Sequence, residues 1–200
     1  DELADADKIT DFTDGTDVLG LDNGLLYTEL TIAQGSGDYA NHTVISKGSE
    51  YLAILEGIDS SSINYFDFVS MASGNQTLTG SSGDDVILGA SGIDSVTTKA
   101  GTDVILTYGG DDAITVDGAG DKTIDGGTGT DSLTISNLSS MADFSSKSYN
   151  KSSEYYSLTT SSSDVISFKA VESLVVGSNT YKLILGDGST RSWLGDIEAG

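Results

Sequence analysis

The sequence predicts an all-β fold that is organised around a parallel β-roll, with antiparallel strands flanking the roll on both sides. The first observation is a nine-residue repeat in the middle of the chain. The second is the composition, because 25 glycines and no proline suit repeated short turns that need positive φ. The third is a series of β-rich segments, separated by turn residues, on either side of the repeat.

The repeat occupies residues 71–134, and a one-residue insertion, Val116, interrupts it. We expect six residues of each unit to form a turn and three to form a short strand whose eighth residue points inward. One unit cannot bury its own apolar face, so several must stack. Glycine fills the fourth position and a large aliphatic residue fills the eighth: Gly74, Gly83, Gly92, Gly101, Gly110, Gly120 and Gly129, and Leu78, Ile87, Val96, Ile105, Ile114, Ile124 and Leu133.

Aspartate dominates the sixth position of the repeat, with Gln76 and Lys122 as the exceptions. The aspartates are Asp85, Asp94, Asp103, Asp112 and Asp131. This pattern resembles the RTX repeat family, whose unit is G-G-x-G-x-D-x-U-x with U a large apolar residue. The resemblance implies a roll that binds calcium between successive turns. The chemistry agrees, because carboxylates and backbone carbonyls are the hard oxygen ligands that Ca²⁺ takes.

The candidate calcium ligands of the roll are these five aspartates and five glycines of the fourth position, which are Gly83, Gly92, Gly101, Gly110 and Gly129. Consecutive units lie on opposite edges of a roll, so same-edge neighbours are two units apart. We predict one calcium between Asp94 and Asp112, one between Asp112 and Asp131, and one between Asp85 and Asp103. Lys122 departs from the pattern, so the position after Asp103 is expected to be empty or irregular, unless Asp121 or Asp125 substitutes.

Residues 1–70 are expected to form an acidic cap followed by an antiparallel β-meander. The stretch 5–19 resembles the segment that follows the repeat block in RTX proteins and in secreted proteases of the serralysin type. Three of its aspartates are therefore further candidate calcium ligands, namely Asp7, Asp11 and Asp17. The alternative is an acidic loop before a hairpin. Strands are predicted at 30–34, 42–46 and 51–58.

Residues 135–200 are Ser-rich and are expected to form a further β-strand segment. Strands are predicted at 154–160, 165–170, 172–177 and 180–185. The run FKAVESL at 168–174 is similar to the passage that often leads out of RTX blocks, but this similarity transfers no site residue.

Charge and missing motifs exclude several classes of function. The net charge of −22 repels nucleic acid and anionic membranes. No cysteine is present, which excludes thiolate metal sites, and no apolar stretch reaches the roughly 18 residues of a membrane span. The sequence has a single histidine, His42, and no H-E-x-x-H, G-x-S-x-G or P-loop motif, so we expect no catalytic activity.

These observations predict a non-catalytic, calcium-binding structural or adhesive module of a secreted, surface-layer or fibre protein, located outside the cell or on its surface. Calcium, copies of the chain itself and other cell-surface components are the expected partners. One alternative is the calcium-dependent secretion and folding domain of a larger secreted hydrolase. Another is a carbohydrate-binding module, for which Trp193 and nine tyrosines offer stacking surfaces. The resemblance implies type I secretion, and the start at Asp1 suggests a piece of a longer protein.

Overall fold

The computed structural model describes residues 2–183 and 197–199, and the backbone alone for 182–183 and 197–199. Regular structure in these ranges consists of strands and short 3₁₀ turns, which confirms the prediction of an all-β fold. Within the described residues no helix is long and apolar enough to cross a membrane. The chain divides into two compact units, Asp1–Met71 and Ala72–Gly200.

The first unit contains a four-stranded sheet in the order β1-β5-β4-β3 and a separate pair, β2-β6. Its strands are β1 (Asp7–Ile9), β2 (Leu19–Leu21), β3 (Thr31–Gln34), β4 (Thr43–Lys47), β5 (Glu50–Leu55) and β6 (Phe68–Ser70). Its 3₁₀ turns are Leu3–Asp5, Tyr27–Glu29, Gly37–Tyr39 and Tyr65–Asp67.

The three strands predicted in this unit are present as β3, β4 and β5, and they pair antiparallel as a meander. Two parallel pairs that the sequence did not predict accompany this meander. β1 pairs parallel with β5 and β2 pairs parallel with β6. Both pairs join strands that are distant in sequence, so no short turn dictates an antiparallel direction.

The second unit is built on a parallel roll whose strands alternate between two sheets. Its strands are β7 (Thr77–Thr79), β8 (Val86–Leu88), β9 (Ser95–Thr97), β10 (Asp103–Leu106), β11 (Ala113–Val116), β12 (Lys122–Asp125), β13 (Ser132–Ile135), β14 (Phe144–Asn150), β15 (Tyr155–Thr160), β16 (Val165–Lys169), β17 (Ser173–Val176), β18 (Asn179–Leu183) and β19 (Ile197–Ala199), with a 3₁₀ turn at Met141–Asp143. One sheet has the order β14-β15-β16-β12-β10-β8 and the other β19-β18-β17-β13-β11-β9-β7.

The eighth position of the repeat forms the core between the two sheets, as the sequence predicts. Ile105 lies opposite Ile87 and Ile124 in one sheet. Ile114 lies opposite its equivalents in the other sheet. The five eighth-position side chains at the centre of the roll are at most 1% exposed, namely Val96, Ile105, Ile114, Ile124 and Leu133.

The parallel ladder continues beyond residue 134, where the sequence pattern ends. β16 pairs parallel with β12, and β17 pairs parallel with β13. Phe168 and Leu174 take the inward places opposite Ile124 and Leu133, and both are fully buried. The segment between β13 and β16, which includes the hairpin β14-β15, interrupts the nine-residue spacing. The sequence pattern therefore does not reveal β16 and β17 as further rungs, where a rung is one strand layer of the roll.

The remaining pairs of the second unit are antiparallel. They join β14 to β15, β15 to β16, β17 to β18 and β18 to β19. The strands predicted at 154–160, 165–170 and 172–177 are present as β15, β16 and β17. The last predicted strand corresponds to β18, and its residues 184–185 lie outside the described residues.

Candidate metal centre

A ladder of hydrogen bonds connects the sixth-position carboxylates along each edge of the roll. On one edge the N–H of Asp94 donates to Oδ1 of Asp112 (2.7 Å), and the N–H of Asp112 donates to Oδ1 of Asp131 (2.8 Å). On the other edge the N–H of Asp85 donates to Oδ1 of Asp103 (3.1 Å). The structure therefore brings together the same three pairs that the sequence predicts as calcium sites.

Three buried carboxylate oxygens have no hydrogen-bond partner within the described residues, namely Oδ2 of Asp103, Asp112 and Asp131. That of Asp103 lies 3.3 Å from the ammonium of Lys122, whereas those of Asp112 and Asp131 have no such neighbouring cation in the described part of the roll. Both side chains are only 1% exposed. A buried charged oxygen without a partner is costly, so it requires either a proton or a cation. Burial raises the pKa of Asp131 from 3.8 to about 7 and raises the pKa of Asp112 as well. Neighbouring carboxylates add to both increases, since repulsion penalises the charged form, whereas the backbone N–H bonded to each carboxylate acts in the opposite direction. The hydroxyl of Thr107 also lies near Asp112 and lowers its pKa, but its proton is donated to the carbonyl oxygen of Gly126 (2.9 Å).

The carboxylates at the start of each edge differ from these two. Oδ2 of Asp94 accepts the N–H of Ala90 (2.7 Å), and Oδ2 of Asp85 accepts the N–H of Ser81 (2.7 Å). Asp94 is 1% exposed, whereas Asp85 is only partly buried. The buried negative charge that most needs a cation to balance it is therefore in the middle of the roll, at Asp112 and Asp131.

The fourth-position glycines stack on one another along each edge. Gly110 lies against the carbonyl oxygen of Gly92, and Gly129 lies against that of Gly110; a Cβ at either glycine would overlap the carbonyl. Gly101 packs in the same way on the carbonyl oxygen of Gly83. The positive φ of Gly110 (+125°) also disfavours any L side chain. This packing leaves a column of carbonyl oxygens beside the column of carboxylates.

A second ladder, at the fifth position of the repeat, did not emerge from the sequence. Oδ1 of Asp84 accepts the N–H of Thr102 (2.7 Å), and Oδ1 of Asp111 accepts the N–H of Thr130 (2.9 Å). These bonds run from one rung to the next in the direction opposite to the sixth-position ladder. Adjacent acids such as Asp84 and Asp85 are thus explained by the architecture of the roll.

Glu172 is a candidate site residue that the sequence analysis missed. Its Oε2 accepts the N–H of Asp131 (2.7 Å), so it takes the sixth position of the last rung on that edge. The available signal was an acidic residue directly before a strand, as Asp131 precedes Ser132. That signal has no meaning until the parallel pairing of β13 with β17 is known.

The structure does not gather the aspartates of the first unit into a site. Asp7, Asp11 and Asp17 are exposed, and Oδ2 of Asp17 accepts the N–H of Thr13 within its own turn (2.8 Å). In the described part of the chain no group of three or more His, Cys, Asp or Glu side chains is arranged to hold a metal.

Fold and site together define a parallel β-roll with stacked carboxylates and glycine carbonyls along its edges. No protein-family model matches the chain, and no curated protein sequence matches it. One solved structure with a similar fold is that of the extracellular lipase LipA from Serratia marcescens, at 19% sequence identity and a TM-score of 0.42. The match covers 60% of this chain and 16% of the lipase chain, and a likeness of this size carries no argument about function.

Proposed function

We propose that the chain is an RTX-type, calcium-binding β-roll that serves a non-catalytic structural or adhesive role in a secreted, surface-layer or fibre protein. The observation that supports this most strongly is the pair of buried, unpartnered oxygens, Oδ2 of Asp112 and Oδ2 of Asp131. They lie on one edge, in adjacent rungs of the same hydrogen-bond ladder.

Calcium fits this set of donors better than other biological metals. The chain has no cysteine and its single histidine belongs to the other unit, so zinc and copper lack their usual ligands. Magnesium demands near-ideal octahedral geometry and keeps several waters, whereas calcium accepts six to eight oxygens in flexible arrangements. Asp94, Asp112 and Asp131, with the carbonyls of Gly92, Gly110 and Gly129, would hold the ions of one edge. Asp85, Asp103 and Gly83 would hold the ion of the other edge, where the carbonyl of Gly101 instead accepts from the ammonium of Lys122 (2.7 Å).

Bound calcium would supply the positive charge that the metal-free roll lacks. The protein carries a net charge of −22, and each calcium would add two positive charges at the place where the sixth-position carboxylates are buried. Binding would therefore favour the folded state, because the same carboxylates are far apart in the unfolded chain.

A location outside the cell would suit a calcium-binding roll of this kind. Extracellular calcium modules bind with dissociation constants of about 10⁻⁴–10⁻³ M. A roll of that affinity would be loaded in the extracellular medium and empty in a cytosol of low free calcium. A secreted or surface location follows, with calcium and other surface components, including copies of the chain, as partners.

A second function also depends on the buried column of carboxylates. If the roll folds only when calcium binds, it would suit the secretion and folding domain of a larger secreted hydrolase, because such a domain stays unfolded until it leaves the cell. The sequence of the adjoining polypeptide distinguishes the two functions: a long repetitive parent favours the structural role, and an adjacent catalytic motif favours the other. For the carbohydrate-binding alternative, Trp193 lies outside the described residues.

Calorimetric titration of the chelator-treated chain with calcium, alongside circular dichroism, tests the proposal. We expect saturable binding with at least the three pairs Asp94–Asp112, Asp112–Asp131 and Asp85–Asp103 occupied, together with a gain of β-signal. Magnesium at the same concentration serves as the matched control and should bind far more weakly. The absence of calcium binding, or a β-signal and melting curve that are identical in chelator and in calcium, would overturn the proposal.

A further inference from the structure

The roll already contains one buried cation of its own, the ammonium of Lys122. Its Nζ donates to the carbonyl oxygens of Gly101 (2.7 Å), Ala119 (3.0 Å) and Gly120 (3.1 Å). It also lies 3.3 Å from Oδ2 of Asp103, and both side chains are fully buried. Three carbonyl oxygens satisfy the three N–H bonds of the ammonium, and the carboxylate balances its charge.

The register places this ammonium at a cation position of the repeat. Lys122 lies opposite Asp103 in the parallel pair β10-β12, so it occupies the sixth position, where Asp112 and Asp131 stand on the other edge. Asp103 has the same buried Oδ2 as those two aspartates, but its Oδ2 faces the ammonium. The carbonyl oxygens of Gly101 and Gly120 belong to the fourth-position column that runs beside the carboxylates.

The buried lysine differs from the lysines on the surface of the same roll. Lys99 pairs with Asp117 at 3.3 Å, with both side chains about half exposed. Lys169 pairs with Asp125 at 2.9 Å in a partly exposed position. A fully buried lysine is rare and costly unless its charge and hydrogen bonds are all satisfied. Lys122 meets this condition with an all-oxygen set of carbonyls and carboxylate, which is the kind of set that a divalent cation requires.

The column of cation positions on this edge ends at Lys122. The next residue in register is Ile166 of β16, which is 3% exposed and apolar. No carboxylate follows, so a metal at this position would have Asp103 as its only sixth-position carboxylate. The opposite edge continues instead from Asp131 to the carboxylate of Glu172.

We infer that Lys122 is a tethered cation that takes the place of a divalent ion, so that the rungs of β10 and β12 keep their charge balance without metal. The Asp94–Asp112–Asp131 edge has no such internal cation and depends on an external one. On one edge the charge of Asp103 would therefore always be neutralised by Lys122. The opposite edge would depend on bound cations. The neutralisation of Asp103 by Lys122 stands by itself, whereas the comparison with a divalent ion and the cation dependence of the opposite edge rest on the proposed calcium binding.

Two substitutions at this position test the inference, with a third as a matched control. Lys122→Met keeps the length of the side chain and removes the ammonium, whereas Lys122→Asp restores the repeat pattern. Lys99→Met makes the same charge change at an exposed pair. Thermal unfolding of the whole chain in chelator and in millimolar calcium, and calcium stoichiometry by calorimetry, provide the readouts.

We expect Lys122→Met to lower Tm by roughly 10 °C in both chelator and calcium, because it leaves the buried carboxylate of Asp103 unpaired. Lys122→Asp should show at least that loss in chelator, bind one more calcium per chain than the parent, and recover most of its Tm in calcium. Lys99→Met should shift Tm by no more than about 2 °C, because exposed ion pairs contribute little.

The inference fails if Lys122→Met melts like the parent in both media. It also fails if Lys122→Asp gains no calcium site while the parent binds calcium. A parent chain that binds no calcium would refute the proposed function, and the comparison of Lys122→Met with the parent in chelator would then decide the role of the lysine by itself. Melting in calcium supplies the same comparison if the chelated chain unfolds without a cooperative transition.

Discussion

Replacing Asp112 by Asn should change the stability of the roll in opposite directions with and without calcium. The asparagine keeps an oxygen that can accept the N–H of Asp94, and its own N–H can still donate to Asp131. What changes is the buried Oδ2, which becomes an uncharged NH₂ group of almost the same size. The substitution therefore separates the structural role of the side chain from its role as a cation ligand.

The expected magnitudes follow from this exchange. In chelator, removing a buried and unpaired negative charge beside Asp94 and Asp111 should stabilise the fold by about 1 kcal/mol, the lower part of the range for unsatisfied buried groups. In calcium, the variant loses a ligand shared by two sites. A site at ten times its dissociation constant contributes about 1.4 kcal/mol, so the two sites together contribute about 3 kcal/mol. This loss corresponds to a decrease in Tm of roughly 10 °C.

Thermal unfolding by circular dichroism in both media measures the two effects, and Asp111→Asn is the matched control. Asp111 is exposed, and the asparagine keeps the Oδ1 acceptor for the N–H of Thr130. It removes one charge from the adjacent position, so its calcium-dependent change should be well below that of Asp112→Asn. An equal loss of stability for Asp112→Asn in chelator and in calcium would show that the buried oxygen is not a cation ligand.

Three further predictions concern the pH dependence, the glycine column and the core. The pKa of Asp131 is raised from 3.8 to about 7 in the folded state, so the folded state keeps a proton that the unfolded chain releases. Stability in chelator should therefore fall as pH rises through that interval. Melting curves at a series of pH values should show this decline, and a decline of equal size in saturating calcium would contradict it. Gly110→Ala should lower the free energy of unfolding by more than about 2 kcal/mol in chemical denaturation, since its Cβ would overlap the carbonyl of Gly92. Gly83→Ala is the control and should cost about 0.5 kcal/mol or less, because a Cβ there meets only the Ser81 hydroxyl at 3.7 Å. Ile114 is 1% exposed, so Ile114→Ala should lower the free energy of unfolding by about 2–5 kcal/mol in the same assay. Ile93 is 54% exposed, so Ile93→Ala should lower it little. Equal losses would mean that the eighth position is not the core.

The nine-residue pattern predicted a large part of the roll because each rung repeats the same contacts with the rung 18 residues away. The pairing of Asp94 with Asp112 and the inward direction of Ile105 both follow from this regular spacing. The pattern failed where the spacing breaks. The inserted hairpin β14-β15 hides the rungs of β16 and β17, so Glu172 could not be recognised as the next acidic residue after Asp131.

The acidic stretch near the N-terminus shows a different limit of sequence reasoning. The resemblance of residues 5–19 to the segment that follows an RTX repeat block predicted further ligands at Asp7, Asp11 and Asp17, and in the structure these side chains are exposed and Asp17 bonds within its own turn. A resemblance of sequence indicates which carboxylates lie near one another along the chain, and it does not indicate where their oxygens point.

The sequence by itself determined the all-β class, the aliphatic core column and the assignment of aspartates to alternate edges. Each of these depends on local periodicity, which side-chain alternation and short turns impose wherever the repeat is intact. Only the tertiary structure decided that Oδ2 of Asp112 and Asp131 lacks a partner while that of Asp103 faces an ammonium. The physical reason is that a long, flexible lysine side chain can reach either solvent or a buried set of carbonyls, and the packing of Gly101 against Gly120 places those carbonyls where Lys122 meets them.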